Sequence, residues 1–287
     1  MKQILIVFCV FGFFSTQVLA GGFQVALQGA KNSGMAQVGT ALPLDASATY
    51  FNPGSAALLT GFQVNVGVYP VIASIQYQND FTGLTGAKDF GVGTPFSLYL
   101  NGKLSKDETK ILSKIGLGLA VYTPFGSTIV YPDDWPGRYV TQNVALSTIF
   151  IQPTVSFQVN NRIGIGAGLI YGIGNFAIER AVPLFDAEGE GKARLAGSGN
   201  GFGVNAGVYA EVIENKLALG LSYKYAPTVP IEGTAEFDAP ISTAALFPNT
   251  DFDLSVQLPS MLVLGATYFF NANDDLKRDK SNGSFIS

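Results

Sequence analysis

The chain has 287 residues, 47% of them hydrophobic and 13% charged, with a formal net charge of −4 and no histidine. The acidic balance argues against nucleic acid, which requires a basic footprint, and the lack of histidine excludes Ser-His-Asp triads, Cys-His pairs and His-ligated zinc. A mean hydropathy of +0.28 is awkward for a soluble globule, yet after residue 20 no run approaches the ~20 apolar residues of a spanning helix, which leaves a large β-sandwich or a β-barrel in a membrane.

Residues 1–20, MKQILIVFCVFGFFSTQVLA, read as a secretory signal peptide. Lys2 supplies the positive start, Ile4 to Phe14 the apolar core, and Val18-Leu19-Ala20 the small-residue cleavage site. The mature chain would then begin at Gly21. Cys9, the only cysteine, falls inside this leader, so the mature chain has no disulfide and no thiol chemistry. Its stability must come from elsewhere, such as a closed hydrogen-bonded wall.

Residues 21–61 are rich in Gly, Ala and Ser and show no sustained period of two. They form either an extension outside a wall or a plug within it. From residue 62 the pattern changes. Phe62, Val64, Val66 and Val68 alternate with Gln63, Asn65, Gly67 and Tyr69. Similar alternation marks nine segments: 62–69, 71–78, 95–104, 114–124, 145–159, 162–174, 202–213, 216–226 and 260–270. In RIGIGAGLIYGIG, at 162–174, glycine takes nearly every second position. As a strand, this puts bulky residues on one face and almost bare backbone on the other. As a helix, the glycines would weaken every turn.

Tight polar turns at Asn160-Asn161 and Glu214-Asn215 alternate with long connections at 79–94, 125–144, 175–201 and 227–259. Short turns on one side and long loops on the other fit an outer-membrane barrel. A soluble sandwich would put charges on its outer faces. Here the second face is Gly, Ala, Ser, Asn and Gln, as a wall needs when a plug or ligand must approach closely. The fold class expected is all-β: a transmembrane antiparallel β-barrel over 62–270, with 271–287 a polar tail.

The sequence also resembles the long-chain fatty acid transporters of the Gram-negative outer membrane, a family of fatty-acid and aromatic-hydrocarbon uptake channels. The likeness rests on stretches in order: Gly21-Gly22-Phe23-Gln24, Ser33-Gly34-Met35-Ala36, Asp45-Ala46-Ser47-Ala48, Asn52-Pro53, Asp134-Trp135-Pro136-Gly137-Arg138-Tyr139 and Leu258-Pro259-Ser260. It implies a fourteen-stranded barrel with residues 21–61 folded inside as a hatch. It also implies passive uptake, with ligand caught at the outer loops, held near the mature N-terminus and released sideways into the bilayer. Two features depart from the family pattern. Gly54 stands where the family has Ala after Asn-Pro, and nine strands fall short of fourteen. The hydrophilic tail lacks a terminal strand, so either one more strand escapes the pattern, or a second chain completes the wall, or the chain is truncated.

The residues expected to bind ligand are Arg138, Tyr139, Trp135 and Phe23. Arg138, beside two aromatics, can clamp a carboxylate through two parallel hydrogen bonds or pair with Asp133 or Asp134. Phe23 would meet the inner pocket or simply pack the hatch. Gly21, Asn52 and Pro53 are assigned to hatch and gating, Asn52 and Pro53 fixing a turn. Lys224 lies on the small-residue face, where it attracts an anionic head group or, as favoured here, reaches water near its strand end. Tyr69, Tyr122 and Tyr225 read as interfacial girdle residues. GSGNGFG at 197–203 lacks the Lys-Ser/Thr of a phosphate loop.

The function expected is passive outer-membrane uptake of hydrophobic molecules, most of all long-chain fatty acids, with aromatic hydrocarbons as the other ligand class. No enzyme activity, cofactor or metal is expected. The partners are outer-membrane lipid, lipopolysaccharide and the outer-membrane assembly machinery. The alternatives are a general porin, a structural barrel or a non-functional fragment.

Overall fold

The computed structural model describes residues 24–107, 109–184, 189–240, 244–270, 277–278 and 285–286. The expected leader, Gly21 and Phe23 lie outside the described residues. Three short helices come first: α1 (Ala30–Gly34), α2 (Ala48–Phe51) and α3 (Pro53–Ala56). The strands follow as β1 (Phe62–Val68), β2 (Val71–Ile72), β3 (Gln76–Gln78), β4 (Thr85–Ala87), β5 (Val92–Gly93), β6 (Phe96–Lys103), β7 (Ile115–Tyr122), β8 (Gly126–Val130), β9 (Asn143–Gln158) and β10 (Ile163–Val182). Then come β11 (Gly191–Ile213), β12 (Leu217–Tyr225), β13 (Thr228–Asp238), β14 (Thr250–Gln257) and β15 (Met261–Tyr268), followed by the two-residue strands β16 (Lys277–Arg278) and β17 (Phe285–Ile286).

The main sheet is an antiparallel wall in the order β1-β6-β7-β9-β10-β11-β12-β15, with β8, β13 and β14 attached beyond it. Among the described residues, the outermost strands β1 and β15 each have one ladder partner. The short turns fall where the sequence puts them. Asn160 Oδ1 accepts from the amides of Arg162 and Ile163, both at 2.8 Å. Asn215 takes a left-handed φ of 54°, a conformation asparagine tolerates.

Two expectations need correction. Residues 71–78 do not form a wall strand. They split into β2 and β3, which pair with β5 and β4. Two of the long connections are themselves sheet: the β10–β11 ladder runs out to Val182 opposite Gly191, and 227–259 holds the β13–β14 hairpin. Proline explains the misreading of 71–78 and 227–259. Pro70, Pro95, Pro124, Pro227 and Pro259 each fall between two consecutive strand pieces. Proline donates no hydrogen to a ladder. The register places these breaks at one level, with Val68 opposite Phe96, Ser97 opposite Tyr122, and Lys224 opposite Met261. Beyond that level β13 continues the line of β12 along the same strand, β11.

Below the proline level the outer face is greasy. Phe62, Val64, Val66 and Val68 on β1, Leu219, Leu221 and Tyr223 on β12, and Leu262 and Leu264 on β15 are all exposed. Among the described residues, no helix is long and apolar enough to cross a membrane.

The inner face is covered by residues 24–61, which reach all eight strands of the wall. Asn65 of β1 bonds Asp45, Tyr99 of β6 bonds Gln28, Gln152 of β9 bonds the Thr49 carbonyl and Val208 of β11 accepts from Asn52. Backbone at Gly118 of β7, Gly166 of β10, Gly220 of β12 and Gly265 of β15 lies directly against Thr49, Pro53 and Thr40. A single 38-residue segment can touch eight successive strands on one face only if the sheet curls round it.

The bare backbone at 164–174 now has a cause. An added Cβ at Gly166 would lie 2.5 Å from the Pro53 carbonyl oxygen. Gly54 answers from the other side: a Cβ there would lie 2.7 Å from the carbonyl oxygens of both Gly164 and Gly207. Gly54→Ala is therefore predicted to destabilise the docked segment. Ala gains up to ~1 kcal/mol of helix propensity, but overlap with rigid backbone costs about 1–3 kcal/mol. Limited proteolysis should cut 24–61 faster in Gly54→Ala while the β-sheet circular dichroism stays unchanged. Equal protection of both proteins would show that no such contact exists.

Candidate functional site

Where the inner segment meets the wall, aromatic rings pack into a buried cluster. Tyr50 of α2 packs edge-on against Phe51 at 4.9 Å and against Tyr122 at 4.8 Å between centroids. Tyr122 continues to Phe150 at 5.7 Å, and Phe150 to Phe125 at 6.0 Å. Polar side chains of the wall satisfy the segment's backbone. Gln152 Nε2 donates to the Thr49 carbonyl at 2.9 Å, and Asn205 Nδ2 to the Tyr50 carbonyl at 3.0 Å. Tyr122 O–H donates to Gln152 Oε1 at 3.0 Å. These bonds matter because an unpaired backbone group in this position would carry its whole desolvation cost.

Tyr122 is thus no girdle residue. It is fully buried, because it shares the inward parity of Gly116, Gly118 and Ala120. Tyr225 is exposed, as a girdle position would be.

Lys224 enters the cluster from β12. Its Nζ lies 3.2 Å from the centroid of the Tyr50 ring and 5.3 Å from that of Tyr122. The residue is 6% exposed. Among the described residues, nothing forms a hydrogen bond or ion pair with Nζ. The expectation that Lys224 reaches water is overturned. Although β12 ends at Tyr225, the chain turns at Pro227 and runs on as β13, so this level is not the rim of the sheet. The tyrosine face returns on the order of 2 kcal/mol, less than the several kcal/mol that burying an ion costs. A buried amine with ring faces and no carboxylate beside it has room in its chemistry for an anion.

The loop residues singled out from the sequence come together at the opposite end of the ladders. The Arg138 guanidinium does grip a carboxylate in a forked arrangement, but the carboxylate is the chain's own Glu190. Nε donates to Oε2 at 2.8 Å and Nη2 to Oε1 at 2.6 Å. The Tyr139 hydroxyl joins the same carboxylate. Asp133, expected as an alternative partner of Arg138, instead pairs with Lys192 at 3.1 Å. Trp135 is buried; it stacks on Tyr131 at 4.1 Å and donates its Nε1 hydrogen to the Thr141 carbonyl at 2.8 Å. It therefore braces the loop from within.

Asn52 and Pro53 are structural pins. Asn52 Oδ1 caps α3 by accepting from the Gly54 amide at 2.9 Å, and Pro53 takes the first helical position, where its missing N–H costs nothing. Asn52 Nδ2 donates to the carbonyls of Thr40 at 2.7 Å and Val208 at 3.0 Å, tying the helix to β11.

Sequence reasoning missed Tyr50, Gln152, Asn205 and Glu190. Gln152 and Asn205 carried one usable signal, a hydrogen-bonding amide on the inward parity of its strand. Tyr50 and Glu190 lie outside the alternating segments and had none.

The chain has known relatives. The family model described as outer membrane protein transport protein (OMPP1/FadL/TodX) matches residues 11–279. A putative outer membrane protein of Neisseria meningitidis serogroup B is 30% identical over 130 residues, which is 42% of this chain and 27% of the relative. The match thus spans about a quarter of that protein's length. A solved Pseudomonas aeruginosa FadL homologue superposes with a TM-score of 0.69 at 17% identity, covering 88% of this chain and 67% of its own. The P. putida toluene transporter TodX superposes with a TM-score of 0.55 at 16% identity, covering 81% of this chain and 68% of its own. At such identities the likeness carries the fold, a transmembrane β-barrel wall.

The outer clasp makes a prediction about pH. Hydrogen bonds from Arg138, and then from Tyr139, lower the Glu190 carboxyl from 4.5 to about 2. A carboxylate held down in the folded state contributes stability above its unfolded value, and loses it as pH falls through the folded one. The clasp should therefore hold at pH 4.5 and open on the way down to about 2. Carboxyl-carbon NMR should find Glu190 titrating far below the other loop carboxylates, and Arg138→Met should return it towards 4.5. An ordinary titration of Glu190 in the unmodified chain would contradict the geometry.

Proposed function

The chain belongs to the outer membrane protein transport protein family (OMPP1/FadL/TodX), and from that premise we propose that it passes hydrophobic molecules, above all long-chain fatty acids, through the outer membrane without energy input. Residues 24–61, with the undescribed Gly21 and Phe23 ahead of them, serve as the hatch. Ligand enters from the long-loop end, moves along the seam between hatch and wall, and leaves sideways into the bilayer. An apolar molecule gains nothing by crossing to water if lipid lies beside it.

The observation that carries the reading is the Lys224 amine buried without an anionic partner among aromatic rings. A fatty acid presents one carboxylate on an apolar tail. The carboxylate can take the Nζ hydrogens in place of the tyrosine face, and the tail can lie on the rings of Tyr122, Phe125 and Phe150. A charge-assisted hydrogen bond of this kind is worth roughly 1.5–3 kcal/mol. Toluene has no charge and would use only the rings. In this reading Arg138 is not the head-group clamp. It fixes the loop between Trp135 and Tyr139 by holding Glu190.

The test is reconstitution in liposomes, measuring oleate and toluene entry for the unmodified chain and for Lys224→Met. Methionine keeps the length of the side chain and removes the amine. Oleate entry should fall about tenfold or more, with toluene entry unchanged. The variant should also unfold at a higher temperature, because it no longer buries an unpaired amine. Entry of both compounds no faster than through empty liposomes would refute uptake. Unchanged oleate entry in the variant would refute the role of Lys224.

A further inference from the structure

Near the Arg138–Glu190 clasp lies a second, polar space. A cleft of about 580 Å³ opens between the 131–142 loop, the end of β10, the start of β11 and the end of β13. Its lining includes Asp133, Gln142, Glu190, Lys192 and Asp238, and none of the aromatics of the buried cluster.

Its charges do not balance. The Lys192 ammonium is taken by Asp133 at 3.1 Å and Glu179 at 3.3 Å. The Arg138 guanidinium is taken by Glu190, whose Oε1 also receives the Tyr139 hydroxyl. Both of these cations are therefore committed. What remains is acceptors. Gln142 is 3% exposed. It gives its Nε2 hydrogens to the carbonyl and carboxylate of Asp133, while its Oε1 is buried and has no donor. Asp238 sits on the rung opposite Lys192, yet Lys192 turns to the other two carboxylates. Among the described residues, the Asp238 side chain makes no hydrogen bond or ion pair.

We infer that this cleft binds a primary ammonium group, which donates N–H to Gln142 Oε1 while its charge faces Asp238 and Asp133. A buried acceptor without a donor carries the full cost of its lost hydration, so the occupant must bring hydrogens. The surplus carboxylate asks for positive charge. A neutral polyol brings hydrogens without charge, and a quaternary ammonium brings charge without hydrogens. A primary ammonium brings both. The volume is within the range of small-molecule sites. Two sources share this chemistry, a free diamine and the ethanolamine head group of a lipid. The inference rests on the loop geometry and is independent of what crosses the wall.

The experiment uses the full chain in detergent, with calorimetry and the emission of Trp135, the only tryptophan. Trp135 is bonded to the carbonyl of Thr141, next to Gln142, so occupancy should move its signal. Putrescine should bind saturably, and choline and glycerol at least about tenfold more weakly. Asp238→Asn, a surface change that should not disturb folding, and Gln142→Leu should each weaken putrescine roughly tenfold, one charge-assisted hydrogen bond's worth. A parallel arm embeds the chain in nanodiscs of phosphatidylethanolamine or of phosphatidylcholine. A Trp135 response confined to the first supports a lipid head group as the source. Choline binding as tightly as putrescine, or an Asp238→Asn variant that binds unchanged, would overturn the inference. So would the absence of saturable putrescine binding together with equal responses in the two lipids.

Discussion

The structure depends on how closely one backbone can approach another. Residues 24–61 lie on the inner face of the wall with α3 almost touching β10 and β11. A side chain larger than hydrogen at Gly54 or Gly166 would fill the gap. The glycines weaken their strands, which lose more entropy on ordering than alanine would. The loss is offset because the segment fills the interior and supplies hydrogen-bond partners to polar groups the wall turns inward. Asn52 shows the exchange in one residue, capping its own helix and bonding the β11 backbone at once. The greasy face, left outside, then has lipid as its natural neighbour.

The alternation of bulky and small residues made much of this legible. It located the wall strands, their facing and the short turns, because a period of two is enforced wherever the two faces meet different surroundings. It failed at 71–78 and in 227–259, where Pro70, Pro227 and Pro259 interrupt a pattern that strands resume beyond the break. For Tyr122 and Lys224 the parity was readable and pointed inward, but each was judged by its closeness to a strand end. Arg138 was recognised as a carboxylate fork. Its partner was beyond reach, since Glu190 lies 52 residues away in sequence and meets it only when the β10–β11 ladder carries the chain out and back.

The two charge systems of the molecule are built in opposite ways. In the loops, Arg138 meets Glu190, and Lys192 meets Asp133 and Glu179, in partly exposed pairs that solvent screens and that contribute modestly to stability. In the aromatic cluster, Lys224 is buried with only ring faces beside it. Paired surface charge orders a loop. An unpaired buried amine is unfavourable by itself and becomes useful when a partner arrives, which is why perturbed buried groups mark functional sites more often than satisfied ones. The same reasoning from leftover capacity separates the acceptors of the polar cleft from its committed cations.

The central claim is that residues 24–61 occupy the inside of the wall. The most direct measurement is a cysteine pair, Thr49→Cys with Gly118→Cys, in a chain with Cys9→Ser, assembled in native outer membranes. The Thr49 side chain lies 2.9 Å from where a Gly118 Cβ would stand, within reach of a disulfide. Mild oxidation should close that bond efficiently and leave the pair Gly34→Cys with Gly118→Cys open. If the first pair stays reduced while the protein is assembled in the membrane, the segment is not where this account puts it.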